Sequence, residues 1–71
     1  MTEKELKELM KEWAEEDIED GTGAKSYNGG YGSFVNMMEI SEDCEDIPKG
    51  TLAKYGEKCY KWYLEAIESL Q

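Results

Sequence analysis

The chain has 71 residues and sets 17 acidic residues against 8 lysines, with no arginine and no histidine, for a formal net charge of −9. This length fits one domain, residues 1–71, with a core so small that dimerisation or a covalent staple would help it fold. The acidic balance argues against direct binding of nucleic acid. The lack of histidine excludes a Ser-His-Asp triad and removes a common zinc ligand.

Residues 2–19 are predicted to form an amphipathic helix. Thr2 followed by Glu5 is the pattern of a capping box, and Leu6, Met10 and Trp13 lie on one apolar stripe. Gly21 suits the position just after the helix. The last turn contains only acids among its charged residues, at the negative end of the helix dipole, which costs about 0.3 kcal/mol or more per charge. Since the fold gains nothing from these acids, we interpret them as functional.

The glycine-rich stretch at residues 20–34 resembles a phosphate-binding loop only superficially. Ala24 stands where such a loop needs its last glycine, and the preceding helix is acidic rather than a buried strand. No frame of the stretch fits a calcium loop either. We therefore interpret it as a bend between two helices.

Two structures remain open for the middle of the chain. Residues 33–40 fit a short helix capped by Ser33, followed by a turn or 3-10 segment near 41–47. Alternatively, Asn28 and Gly29 form the tight turn of a β-hairpin, which would need to pack against the helices to be stable.

Residues 50–71 are predicted to form a second long helix with Thr51 as its N-cap. The apolar stripe of this helix is wide, because Tyr60 and Leu64 extend it beyond one face, and this width favours a homodimer. Gly56 inside the helix costs about 1 kcal/mol relative to Ala, so either a neighbour packs closely there or the helix bends. The predicted fold class is mainly α: two long amphipathic helices with a short central helix or β-hairpin, in a small helical bundle.

The sequence predicts no enzyme, no cofactor and no metal site. Paired carboxylates need a concave apolar pocket for acid–base catalysis, and a domain this small has little room for one. Cys44 and Cys59 could close a disulfide, but Cys59 lies on an apolar stripe and fits a small core residue, and reduced thiols are expected. We expect no leader peptide and no membrane span, and therefore a cytoplasmic protein.

Essentially all the excess charge lies in two segments. Residues 1–20 carry nine acids and three lysines, net −6, and residues 36–48 carry five acids and no base, net −5. Duplex DNA presents one negative charge per ~1.7 Å of axis, and these segments offer a comparable density of carboxylates. The candidate binding acids are Glu12, Glu15, Glu16, Asp17, Glu19, Asp20, Glu39, Glu42, Asp43, Glu45 and Asp46. The candidate aromatic anchors beside them are Tyr27, Tyr31 and Phe34.

In its segments EEDIED (residues 15–20) and SEDCED (residues 41–46), the chain resembles the small acidic phage proteins that inhibit host or defence proteins by mimicking DNA. The resemblance is in size, charge and helical character. It implies a homodimeric inhibitor that acts in the cytoplasm of a bacterial host on a protein with a basic nucleic-acid-binding surface. The four lysines of residues 49–71 depart from this pattern and assign the last helix to the core or a dimer interface.

A second hypothesis is a non-catalytic interaction module. It would bind an apolar groove of another protein through an aromatic and methionine surface formed by Tyr31, Phe34, Met37 and Met38.

Overall fold

A computed structural model describes residues 1–19 and 25–70, with side chains for residues 1–19 and 30–70. Within these ranges the chain forms three helices: α1 (Glu3–Glu19), α2 (Lys25–Asp43) and α3 (Thr51–Leu70). The prediction of a mainly α fold is confirmed. The described residues include no strand, and the hairpin proposed around Asn28 and Gly29 is wrong because α2 spans these positions.

The start of α1 is stabilised by the predicted capping box. The Thr2 N–H donates to Glu5 Oε1 at 2.9 Å, and the Glu5 N–H donates to Thr2 Oγ1 at 3.2 Å. These reciprocal bonds use N–H groups that have no acceptor inside the helix. They also lower the pKa of the Glu5 carboxyl, because both the backbone and the hydroxyl of Thr2 favour its ionised form.

The central segment is longer than the predicted helix over 33–40. It runs from Lys25 to Asp43, with a break at Gly30, where φ is 75° and ψ is −164°. Side-chain-bearing residues rarely adopt such a conformation, so glycine permits the kink. Ser33 therefore lies inside α2 rather than at its cap. Helix also replaces the turn or 3-10 structure expected at 41–43.

The start of α3 differs from the prediction by one residue. The Lys54 N–H donates to the Gly50 carbonyl at 3.0 Å, so Gly50 is the N-cap and Thr51 is the first helical residue. The Thr51 hydroxyl donates to the Pro48 carbonyl instead of accepting a helix N–H. The carboxylate that caps α3 comes from elsewhere in the chain, as described below.

All three helices contribute to one core, together with Ile47 from the α2–α3 connection. Its buried apolar residues are Leu6, Met10, Ala14, Phe34, Met38, Ile47, Cys59, Tyr63 and Ile67. Phe34 lies centrally, with its ring centroid 5.1 Å from that of Tyr60, 5.4 Å from that of Tyr63 and 6.0 Å from that of Trp13. Aromatic contacts at these separations add to the stabilisation from burial.

Gly56 is buried because a neighbour packs closely on it, which is one of the two alternatives predicted for it. A Cβ atom at this position would lie 3.1 Å from the Tyr31 hydroxyl and 3.0 Å from Leu52 Cδ1. Tyr31 thus joins the first part of α2 to α3, while the last residues of α2 contact the start of α3. Among the described residues, no helix has the length and apolarity needed to cross a membrane.

Candidate acidic interface

The acids near the end of α1 are solvent-exposed. The exposed members of this predicted set are Glu12, Glu15, Glu16 and Glu19. No basic residue lies in the last turn of α1, so Glu16 and Glu19 lie at the negative end of the helix dipole with no base in the same turn. Asp20 lies outside the described residues.

Asp17 has a structural contact that its neighbours lack. Its side chain is half-buried, and its Oδ2 accepts a hydrogen bond from the hydroxyl of Tyr63, a buried core residue. A buried hydroxyl needs such a partner, because leaving it without one costs free energy. Asp17, predicted as a partner-binding acid, therefore has a structural contact as well: its carboxylate joins α1 to α3.

The second acidic segment presents four exposed carboxylates: Glu39, Asp43, Glu45 and Asp46. Glu45 has a φ of 63° in the left-handed region. The Asp46 N–H donates to the Ser41 carbonyl at 2.9 Å and the Glu45 N–H to the Glu42 carbonyl at 3.1 Å, so α2 ends in a Schellman motif with Glu45 at the C′ position. Glycine or asparagine normally occupies this position. Glu45 is thus a second place where an acid stands at some cost to stability.

Glu42 differs from the other acids of its segment, because it caps α3. Its Oε1 accepts from the Gly50 N–H at 3.1 Å, and its Oε2 accepts from the Leu52 N–H at 2.9 Å. The carboxylate therefore satisfies N–H groups at the first turn of α3 and lies at the positive end of that helix dipole. Glu42, predicted as a partner-binding acid, therefore has its carboxylate engaged by the start of α3 in this structure.

The aromatic anchors are only partly available. Phe34 is fully buried, so the prediction that it contacts a partner is wrong: its apolar ring completes the core between α1 and α3. Tyr31 remains 41% exposed, with its ring stacked on that of Phe34 at 6.5 Å. The Tyr27 side chain lies outside the described residues. Met38 is also buried. Phe34 and Met38 are two of the four residues proposed for the surface of the apolar module, so half of that surface is inaccessible in this structure.

The two acidic segments lie toward opposite ends of α3. Met1 and Leu6, at the start of α1, line a shallow cleft together with Pro48 and Thr51. The end of α1 lies farther along α3, where Asp17 meets Tyr63. The 12 residues from Thr51 to Tyr63 correspond to about 18 Å of helix. The exposed carboxylates are therefore arranged as two separated groups and do not form one continuous cluster.

The described residues were also compared with the requirements of a metal site and of a reactive thiol. Within residues 1–19 and 25–70, no three His, Cys, Asp or Glu side chains are grouped so that they could hold a metal ion. Both cysteines are free thiols: Cys44 is exposed and Cys59 is buried. Burial raises the pKa of the Cys59 thiol from 9.0 to about 11, which keeps the thiol protonated at neutral pH.

Sequence reasoning missed two features of this surface. One is the cap formed by Glu42, whose only signal is that a carboxylate precedes a Pro-x-Gly turn and a helix start. The other is a cleft between α1 and α3 lined by lysines, whose signal is the spacing of Lys4, Lys7 and Lys11.

Comparison of the chain with protein-family models, with curated protein sequences and with solved structures found no significant match.

Proposed function

We propose that this chain is a small acidic inhibitor that occupies the basic nucleic-acid-binding surface of a protein partner, acting as a DNA mimic. The observation that carries the proposal is the presence of exposed carboxylates at positions where they lower stability. The last turn of α1 contains no basic residue, and Glu45 occupies a left-handed position that favours glycine. A binding function gives a reason to keep acids at such sites.

The exposed acids also form two groups, which lie toward opposite ends of α3. Together they present Glu12, Glu15, Glu16, Glu19, Glu39, Asp43, Glu45 and Asp46. These two groups of carboxylates would contact a basic surface that normally binds the phosphates of two DNA strands. The negative net charge would speed association with that basic partner.

The resemblance to phage-encoded mimics extends the proposal to a homodimer acting in the cytoplasm of a bacterial host. Sedimentation at high micromolar concentration tests the dimer on its own, because a monomer would remove that part and leave the mimicry intact. The alternative, a module that binds an apolar groove, has less support because Phe34 and Met38 are buried and only Tyr31 and Met37 of its surface remain.

A matched pair of charge variants tests the proposal. E12Q/E16Q/E19Q removes three exposed acids from the end of α1, and E57Q/E65Q/E68Q removes three exposed acids from α3. Both changes alter the net charge equally. Immobilised wild-type protein should capture a DNA-binding protein from a bacterial lysate at low salt and release it at about 0.5 M salt, where the screening length is only a few Å.

Duplex DNA should compete for the captured protein, and the first variant should weaken capture by about ten-fold or more while the second leaves it near wild type. Equal loss in both variants would show a general charge effect and contradict the assigned site. A partner that stays bound at high salt, ignores DNA and is lost on Tyr31→Ala would support the apolar module instead.

A further inference from the structure

The side of α1 that carries lysines forms a cleft with α3. The cleft has a volume of about 360 Å3, within the range of roughly 300–1,000 Å3 typical of small-molecule sites. Its rim is formed by Lys4, Lys7 and Lys11, and its apolar wall by Trp62, Ala66 and Leu70.

The charge of this cleft is opposite to that of the molecule. Residues three and four apart lie on one flank of a helix, so Lys4, Lys7 and Lys11 point the same way. With Glu8, which also lines the cleft, the local charge is three minus one, or +2. In the described part of the chain the sole ion pair joins Glu3 to Lys58 at 3.3 Å. The three rim ammonium groups therefore have no carboxylate partner there.

The wall of the cleft is apolar and incompletely covered. Trp62, Ala66 and Leu70 follow one another at intervals of four residues, which places them in a row along α3. Trp62 and Ala66 are half-buried, while Leu70 is 41% exposed. Lysine stems often cover such surface, but here they leave Leu70 open to solvent. The cleft thus combines a partly exposed apolar row with three ammonium groups that form no ion pair with the described residues.

We propose that this cleft binds a small organic anion with an apolar body, such as an acyl or aryl carboxylate. The body would lie on Trp62 and Leu70, and the anionic group would be held by the lysines of α1. A neutral apolar molecule would gain no electrostatic attraction from the lysines at the rim of the cleft. A polyanion such as a nucleic acid would be repelled by the net charge of −9. This site is separate from the acidic interface and does not depend on the function proposed for it.

Decanoate is a suitable probe, with decanol as the neutral match and acetate as the anion without a body. Titration of the full chain is followed by calorimetry and by tryptophan fluorescence, to which both Trp13 and Trp62 contribute. We expect saturable binding of one decanoate per chain, weaker binding of decanol and undetectable binding of acetate. The variant K4Q/K7Q/K11Q should bind decanoate about ten-fold more weakly, because it loses three favourable charge contacts.

The control K49Q/K54Q/K61Q removes the same number of exposed lysines outside the cleft and should bind as wild type does. Leu70→Ser should weaken decanoate binding without changing the helical circular dichroism. Equal affinities of the two triple variants, or equal affinities for decanol and decanoate, would overturn the proposal.

The proposal would also be overturned if the wild-type protein is a dimer that binds no decanoate and the K4Q/K7Q/K11Q variant is a monomer. A second copy of the chain would then cover the cleft. None of these measurements involves a protein partner or the acids of residues 12–19, so their failure would leave the proposed mimicry untouched.

Discussion

Replacement of Glu42 by alanine should destabilise the fold more than any other single change in the acidic segment of residues 39–46. The substitution removes both acceptors for the N–H groups of Gly50 and Leu52, at 3.1 and 2.9 Å. Loss of a helix cap costs about 0.5–2 kcal/mol, and loss of the carboxylate at the positive end of a helix dipole costs about 0.3–1 kcal/mol more. We expect a decrease of about 2 kcal/mol in the free energy of unfolding.

Urea denaturation followed by circular dichroism measures this change. With a slope of about 1 kcal/mol per M for a small protein, the midpoint should fall by about 2 M. Glu42→Gln should be intermediate, because one amide oxygen can accept a bond while the amide nitrogen faces an N–H group. Glu39→Ala is the matched control: it removes the same charge from the same helix at an exposed position. If E42A and E39A unfold within about 0.5 kcal/mol of each other, the cap has no energetic role and our reasoning fails.

Three further changes test other features. Glu45→Gly should raise stability by about 1 kcal/mol in the same urea assay, since glycine tolerates the left-handed conformation; a loss of stability would contradict this. Tyr63→Phe should cost about 1 kcal/mol, and a double-mutant cycle with Asp17→Asn should give a coupling free energy of about 1 kcal/mol if their hydrogen bond is the cause. The raised pKa of Cys59 means that the unfolded chain loses the thiol proton first, so stability should fall between pH 9.0 and about 11. Cys59→Ala should remove that slope while Cys44→Ala keeps it.

Features that depend on neighbours in sequence could be predicted. The capping box needs only Thr2 and Glu5, three residues apart, and both hydrogen bonds are present. The apolar stripes of α1 and α3 follow from helical periodicity, and the bounds of both helices agree with the prediction within one or two residues. The close packing on Gly56 was one of two alternatives that its helix propensity suggested.

Features that depend on tertiary contacts could not be predicted in this way. Periodicity groups Phe34 with Met38 but does not say whether that face meets the core or a partner. The need of a small core for apolar area from all three helices decides it. Glu42 reaches donors eight and ten residues away, across a turn whose path the sequence does not specify. Glu45 occupies a position where glycine or asparagine would have been the usual signal.

The break at Gly30 divides α2 into two independent hydrogen-bonded ladders. A helix that restarts after a non-helical residue begins with N–H groups that have no acceptor of their own. Amide protons just after the break, at Gly32 and Ser33, should therefore exchange with solvent deuterium well before those of Met37 and Met38 in the second ladder. The part of α2 after Gly30 would then show two levels of exchange protection, low at Gly32 and Ser33 and higher at Met37 and Met38.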